Sequence, residues 1–480
     1  MKKILSFISV LVLALLLVAC GGDRGGQIDG KIVEWYELSE DADYNGEAVT
    51  INFWHRMGDA NSAMITKWVE EFNEIYPNIT VNVHKAATDY DALANAISLN
   101  ITTGNYPDIA ESYPDHIARY AQSPDTLLAL NNFIDHPTLG LTQEQQDDFL
   151  TGLWAEGVSY DDKGTRLSLP FSKSTEALFY NATYFEEHGY EVPATWDKVF
   201  EIAEDIKSRE PEAIPFGYDS SDNMFITLSE QWQAPYTGYN AETGLPEVQF
   251  NNDKSKEMIK FYKEKVDEGL LLTRALNAGA FTSDIFKTGE KLYMYVGSTG
   301  GTRYAYEGVS NDLFNNYMGK GFRVGVAPVP AKDENHRRQI QQGPNINLFN
   351  HGDEQRAIAA WLFAKFMIQP EKSAEYAIPS GYAPTTQSAY ETDLWKEHVA
   401  NNVVENPQNL SQATNKLVVE AIQIFSEYED SFFTSTVFNL SSRTRGEVGN
   451  LLNLIFEYEG NNLDAYIDEQ YQSSYNYIVN

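Results

Sequence analysis

The chain reads as an α/β protein built on a parallel sheet, and three neighbouring stretches carry that reading. Val49, Ile51 and Phe53 alternate with polar residues up to Trp54, the period-two pattern of a half-buried strand. From about Ser62, the residues Met64, Ile65, Trp68, Val69, Phe72 and Ile75 recur at helical spacing until Pro77 stops the run. Ile79, Val81 and Val83 then alternate again. Strand, helix and strand of this size form a βαβ unit, whose crossover joins two parallel strands.

The remaining elements follow in order. Residues 20–46 begin with the chain's only cysteine and continue rich in Gly, Asp, Glu and Asn without sustained periodicity, which predicts a flexible tether ahead of the first strand. Thr195 is placed to cap a helix whose inward face is Val199, Ile202, Ala203 and Ile206. Residues 291–296 and 322–327 read as strands. From Glu354, the residues Ile358, Leu362, Phe363 and Phe366 make another amphipathic face, closed before Pro370, and the tail from Asn415 is helical in pattern. No repeat of solenoid period is present.

Composition narrows the function. At 480 residues the chain has room for two or three domains. Its 29 Tyr, 25 Phe and 8 Trp supply large cores and aromatic-lined pockets. A net charge of -34 repels nucleic acid and anionic lipid surfaces. The lone cysteine leaves no intrachain disulfide. HExxH, CxxC and Walker sequences are absent, "GKGFRVG" lacks the glycine spacing of a dinucleotide loop, and no two histidines stand four apart. No cofactor, metal or catalytic residue is therefore expected.

At the N-terminus, Lys2 and Lys3 precede an apolar run over residues 4–19 that ends in Leu17-Val18-Ala19-Cys20. Charge, short apolar core and small residues make a secretory signal peptide over residues 1–19. A cysteine at the first mature position resembles the lipobox of bacterial lipoproteins, which implies a lipid (diacylglycerol on sulfur, with palmitate) on Cys20 and an exported, membrane-anchored protein.

The order of motifs through the mature chain resembles the extracellular solute-binding proteins of ABC importers, in the branch that binds sugars and glycerophosphodiesters. The segments that carry the resemblance are "VTINFWHRMG", "WVEEFNEIYPNITVNV", "TTGNYPDIAESYPDHIARYAQS", "LSLPFSKSTEALFYNATYFEEHG", "KTGEKLYMYVGSTGG", "GVAPVPAKD" and "AAWLFAKFMIQPEKSAEYAIPSGYAPTTQSAY". The family implies a type II periplasmic-binding-protein-like fold of two discontinuous α/β lobes with ligand in the cleft between them. The expected division is a first lobe over 47–168, a second lobe over 169–297, a return to the first lobe over 298–342, and a last segment of the second lobe over 343–480. Crossings are expected near 167–170, 295–298 and 342–344.

A sugar offers apolar ring faces and a rim of hydroxyls, so its site needs aromatic platforms and convergent polar groups. In open α/β sheets these collect at the carboxyl ends of strands. Trp54, His55 and Arg56 end the first strand; Trp54 fits the core equally well. The family resemblance adds Tyr90, Asp115, the pair Ser174 and Thr175, and Tyr382 in "SGYAP". Ser298, Thr299 and Gly300 follow a returning strand, Gly343 stands at the third crossing, and Trp232 is a possible stacking platform or a helix core residue. Ser112 falls where maltose binders carry a stacking tryptophan, which argues against a maltodextrin. The phosphate-holding arginine of glycerophosphodiester binders has no counterpart around residues 436–439, and Arg443 and Arg445 come later. These readings point to a monosaccharide or oligosaccharide receptor: a monomer, not an enzyme, that delivers its small carbohydrate ligand to the transmembrane subunits of an ABC permease. An exported glycan-cleaving lipoprotein and a surface glycan adhesin are the competing readings.

Overall fold

The first strand runs Val49–His55 and buries Ile51, Phe53 and His55 on one face. The helix Asp59–Ile75 lays Ile65, Trp68 and Phe72 onto that face, and the strand Ile79–Lys85 returns parallel to the first. The computed structural model describes residues 33–161 and 163–480. Cys20 and the signal segment lie outside the described residues.

In chain order the strands are β1 (Val49–His55), β2 (Ile79–Lys85), β3 (Ile109–Ser112), β4 (Leu169–Pro170), β5 (Ser174–Asn181), β6 (Phe216–Tyr218), β7 (Thr237–Tyr239), β8 (Pro246–Val248), β9 (Leu271–Thr273), β10 (Met294–Ser298), β11 (Val324–Pro328), β12 (Gln339–Gln342), β13 (Asn345–Leu348) and β14 (Phe432–Phe433). A five-stranded sheet has the order β2-β1-β3-β13-β4. A seven-stranded sheet has the order β14-β12-β5-β10-β6-β9, with β11 also paired to β5. The strands β7 and β8 form a separate hairpin. Each large sheet is covered on both faces by apolar clusters, the arrangement that two α/β lobes require.

Local chemistry explains the helices that the periodicity predicts. The Thr195 hydroxyl accepts the Lys198 amide and opens the helix Trp196–Arg209, which buries Val199, Ile202, Ala203 and Ile206. The helix Glu354–Met367 is buried almost all round against the first sheet. Pro370 starts a second helix, Pro370–Ser380, from its first turn, where proline's missing amide is not needed. The C-terminal tail forms the helices Leu410–Glu427, Ser441–Phe456 and Leu463–Val479.

Sheet membership revises the expected division of the chain. The chain leaves the first sheet after β4, enters the second at β5, and returns between β12 and β13. Segment 298–342 was expected in the first lobe, yet β11 and β12 both pair with β5, so it belongs to the second. Likewise 343–480 is not wholly second lobe, because β13 pairs with β3 and β4 and the helix Glu354–Met367 packs on the first sheet. No crossing occurs at 295–298: β10 lies inside the second sheet between β5 and β6. The expected tether also contracts. Val33 and Ala42 are buried, Trp35 bridges to Ala129, and Tyr36 stacks on Phe133 with centroids 5.5 Å apart. Residues 33–46 are thus a strap docked on the first lobe. No helix among the described residues is long and apolar enough to cross a membrane.

The passages between lobes converge on one buried ion pair. Lys173 lies between β4 and β5 with a fully buried side chain, and its Nζ donates to Glu156 Oε2 at 2.5 Å and to the Gly343 carbonyl at 3.1 Å. The Lys173 carbonyl accepts the Ala383 amide at 2.8 Å. Asn345 Nδ2 donates to the same Glu156 oxygen at 2.8 Å. Gly343 has φ +96°, and a Cβ there would stand 1.8 Å from the Ser172 carbonyl oxygen. Replacing Gly343 by Ala therefore imposes both backbone strain and a clash between the two passages. We expect Gly343→Ala to lose at least about 2 kcal/mol in urea unfolding; a loss below about 0.5 kcal/mol would show the passages to be loosely coupled.

Candidate functional site

The cleft lies where the carboxyl end of β3 faces the helix Ser441–Phe456. Immediately after β3 come Tyr113, Pro114 and Asp115, the last two opening the helix Pro114–Tyr120. This short helix packs against Ser441–Phe456 of the second lobe. Between them lies a cavity of about 560 Å³, solvent at its mouth included, lined among others by Tyr113, Asp115, Tyr236, Gly343, Thr436 and Arg445.

Arg445 is the cationic side chain of this cavity. Its Nε lies 2.8 Å from Asp222 Oδ2, and its guanidinium donates to Asn223 Oδ1. Although burial opposes it, the carboxylates of Asp222 and Asp115 hold the guanidinium charged and its pKa raised. Asp222 is half-buried; burial works to raise its carboxyl, and Arg445 holds it below the ordinary value. The arginine therefore enters the cavity already matched by a carboxylate from its own lobe, with Asp115 contributed from the other.

A second group of predicted residues forms a continuous chain beside the cavity. Arg56 Nη2 donates to the Tyr90 hydroxyl at 3.0 Å, and its guanidinium lies 4.1 Å from the Tyr90 ring centroid. The Tyr90 and Tyr382 hydroxyls stand 3.4 Å apart. Tyr382 in turn covers Gly300, where a Cβ would meet its ring at 3.1 Å; glycine is needed for that close approach. Thr299 Oγ1 accepts the Thr175 amide at 3.1 Å, and Thr175 Oγ1 donates to the Ile340 carbonyl at 2.8 Å. Ser298 Oγ accepts the Gly300 amide and opens the 3-10 turn. Tyr113 joins this chain to the cavity: its ring meets Tyr90 edge-on at 4.8 Å and its other side lines the cavity.

Of the residues predicted from sequence, Asp115 and Gly343 line the cavity, and Arg56, Tyr90, Thr175, Ser298, Thr299, Gly300 and Tyr382 form the adjoining chain. Ser174 is buried at the start of β5 opposite Gln342. The structure does not bring three others to the cavity. Trp54 packs into the core on the opposite sheet face from Phe53, edge-on to His84. His55 is fully buried, its Nδ1 accepting the Met57 amide at 3.1 Å. Trp232 lies against Phe261 at 5.7 Å with Lys332 over its ring, a core position of the second lobe.

Sequence reasoning missed Tyr113, Tyr236 and Arg445. Tyr113 follows a strand end and was within reach of the same rule that selected Asp115. Ser441 and Arg445 are four apart on one helix face and line the cavity together, whereas nothing local separates Arg445 from the exposed Arg443. Tyr236 carries no local signal.

With the geometry established, the fold and an interlobe cleft define a solute receptor of the two-lobed binding-protein class. The family model for bacterial extracellular solute-binding proteins matches residues 67–403, and the chain belongs to that family. It is 25% identical over 361 residues to the sn-glycerol-3-phosphate-binding periplasmic protein UgpB of Escherichia coli K12, covering 74% of this chain and 78% of that one. The Salmonella typhimurium UgpB is 26% identical over 359 residues, covering 72% of this chain and 77% of its own. Among solved structures, UgpB of Mycobacterium tuberculosis in complex with glycerophosphocholine superposes with a TM-score of 0.68 at 18% identity, over 90% of this chain and 98% of that one. The GacH receptor of Streptomyces glaucescens gives 0.66 at 17% identity, over 90% and 97%, and maltose-bound MalE3 of T. maritima 0.66 at 17%, over 90% and 100%.

Beneath the Arg56–Tyr90 contact, Glu111 Oε1 accepts the Arg56 amide at 2.5 Å. Burial pushes the Glu111 carboxyl up to about 7, with Arg56 opposing. In the next strand, burial lowers His55 to about 4, with Lys85 and His84 adding to the effect. Folded Glu111 keeps a proton that an unfolded chain releases, so between about 4.5 and 7 its contribution to stability falls as pH rises. His55 acts in the opposite sense between about 4 and 6.5. Glu111→Gln leaves His55 in place, so its unfolding free energy should fall less than that of the wild type between pH 5 and pH 8, by about 2–3 kcal/mol. Urea titrations at the two pH values measure this; parallel losses would remove Glu111 as a titrating group.

Proposed function

We propose that the protein is the solute receptor of an ABC-type importer, capturing a monosaccharide or oligosaccharide between its lobes and presenting it to a membrane permease. The observation that carries the sugar reading is the compensated charge of the cavity: Arg445 is paired with Asp222 and faces Asp115. A cavity whose one cation is already matched favours a neutral polyhydroxyl ligand. Asp115 accepts hydroxyl protons, Arg445 and the hydroxyls of Thr434, Ser435 and Thr436 bond the remaining rim, and Tyr113 and Tyr236 offer ring faces. Closure around the ligand by hinge motion at the two passages beside Lys173 gives the permease a shape that distinguishes loaded receptor from empty.

A glycerophosphodiester is the second reading, and Arg445 is the observation that favours it, together with the glycerophosphocholine bound by the Mycobacterium tuberculosis relative. In that case the phosphate displaces Asp222 from the guanidinium. The related proteins are binding proteins rather than enzymes, and the solute is expected to be returned unchanged. The receptor acts as a monomer, exported and held at the membrane by lipid on Cys20.

A thermal-shift panel of sugars and glycerophosphodiesters, run on protein lacking residues 1–19, tests the ligand class. A shift with neutral sugars that is insensitive to salt supports the first reading, and a salt-sensitive shift confined to phosphodiesters replaces it with the second. For the ligand so identified, Asp115→Ala and Tyr382→Ala should each weaken binding by about 10–100-fold in titration calorimetry while leaving the melting temperature within a few degrees; unchanged affinity in both variants would remove the cleft from the site. Separately, labelled palmitate should enter the wild type in cells and not Cys20→Ala, and equal labelling of the two would overturn lipidation at that residue.

A further inference from the structure

Behind the cleft, the first sheet carries a buried polar wall that the solute reading does not use. Register places Asn345 opposite Ser112 and Asn347 opposite Ala110 on the β3–β13 pair, and Asn345 opposite Pro170 on β4. Side chains alternate, so Ser112, Asn345 and Asn347 share one face, while Glu111, Ile346 and Leu348 share the other. Each of the three is at most 1% exposed. Their neighbours are small: Ala110 stands beside Asn347, and Ser168 Oγ receives Asn345 Nδ2 at 3.2 Å.

Asn345 Nδ2 apart, the polar side-chain atoms of this wall lack protein hydrogen-bond partners. Among the described residues, Asn347 has no hydrogen-bond partner for either Nδ2 or Oδ1, and Asn345 has none for Oδ1. The Ser112 and Tyr120 hydroxyls lie beside each other without a well-formed hydrogen bond. Buried amides are almost always paired, because leaving one unpaired costs more than a normal hydrogen bond contributes. A leucine at position 347 would fill the same volume without that cost, so the carboxamide implies an occupant. The wall also communicates with the cleft. Asn345 Nδ2 donates to Glu156 Oε2 at 2.8 Å, Glu156 lines the cavity, and Tyr120 ends the helix that carries Asp115.

We propose that Ser112, Asn345, Asn347 and Tyr120 form a hydroxyl-binding compartment behind the cleft, filled by ordered water or by a hydroxyl arm of a polyol. The donor set is neutral and mixed. Asn347 offers two donors and an acceptor, Asn345 a free acceptor, and the two hydroxyls offer both. An anion would meet the Asn345 and Asn347 carbonyl oxygens and the Glu156 carboxylate, and a cation would meet the Asn347 amide protons. Only a group that both donates and accepts matches every member. The compartment stands whichever solute the main cavity takes.

Crystals of the full mature protein, unliganded and then equilibrated with glycerol as the smallest polyol, test this directly. Water hydrogen-bonded to Asn345 and Asn347 that persists in glycerol supports the compartment with solvent as occupant. A glycerol hydroxyl replacing that water supports it with a polyol arm as occupant, and a dry, empty layer in both crystals overturns it. Thermal unfolding gives an independent readout. Asn347→Leu should lower the melting temperature by about 2 °C or more, because the occupant's bonds to Asn345 and Ser112 are lost with it, and Asn347→Ser, which keeps a hydroxyl, should recover part of the loss. A rise in melting temperature for Asn347→Leu would mean a dry, unpaired amide and would overturn the assignment.

Discussion

The two lobes share one buried charge pair, and much of the architecture depends on it. Lys173 carries a positive charge into a site from which water is excluded, where an unpaired ammonium would be intolerable. Glu156 neutralises it, the Gly343 carbonyl accepts a second hydrogen bond from the ammonium, and Asn345 Nδ2 donates to the same carboxylate oxygen. The cluster joins three stretches of chain: Glu156 from the first lobe, Lys173 from the first passage, and Gly343 and Asn345 from the return passage. Breaking such a pair by removing one member costs about 3–5 kcal/mol, since the other charge is left buried alone. Replacing both members with apolar residues is often neutral or stabilising. The pair therefore fixes which segments meet and in what geometry more than it adds to stability. The Lys173 carbonyl also accepts the Ala383 amide, which brings the segment after the helix Pro370–Ser380 to the same point.

The site divides into a packed wall and a ligand-facing cavity. The chain from Arg56 through Tyr90 and Tyr382 to Gly300 joins the first sheet to the turn after β10 by aromatic packing and hydroxyl contacts. Its side chains are mostly bound to each other and so set the shape of one wall. The cavity beside it presents Asp115, Arg445 and a run of hydroxyls. Tyr113 belongs to both, its edge against Tyr90 and its body on the cavity. Movement of the aromatic chain thus changes the cavity without any cavity residue being altered.

Local patterns in the sequence were reliable where one element decides its own fate. The alternation of Val49, Ile51 and Phe53, the Thr195 cap and the inward face of the helix that it opens are all set by nearest neighbours. Pairing was not legible, because it depends on segments far apart. β4 has two residues and β13 four, too short for a period to show, and only the ladder reveals that β13 belongs with β3 while β11 belongs with β5. The same limit governed the site. Asp115 and Gly343 follow from strand ends and passages, whereas Arg445 is distinguished from Arg443 only by the helix face that Ser441 shares with it. Trp232 misled because a tryptophan satisfies a core as readily as it stacks on a ligand. The strap was unreadable as structure since Val33, Tyr36 and Ala42 bury against partners a hundred or more residues away or in the next layer.

That strap has a mechanical consequence. Trp35 is bridged to Ala129, Asn132 Nδ2 donates to the Tyr36 carbonyl at 2.9 Å, and His136 is hydrogen-bonded to the Ser39 carbonyl at 2.9 Å. All three partners are in the first lobe. The strap is thus held by the first lobe at all three points. In the lobe closure proposed above, the first lobe would be the frame that carries the strap and Asp115, and the second the arm that carries Arg445. An attachment at the N-terminus, as proposed, would then sit on one side of the joint and turn an otherwise symmetric bending into a directed stroke.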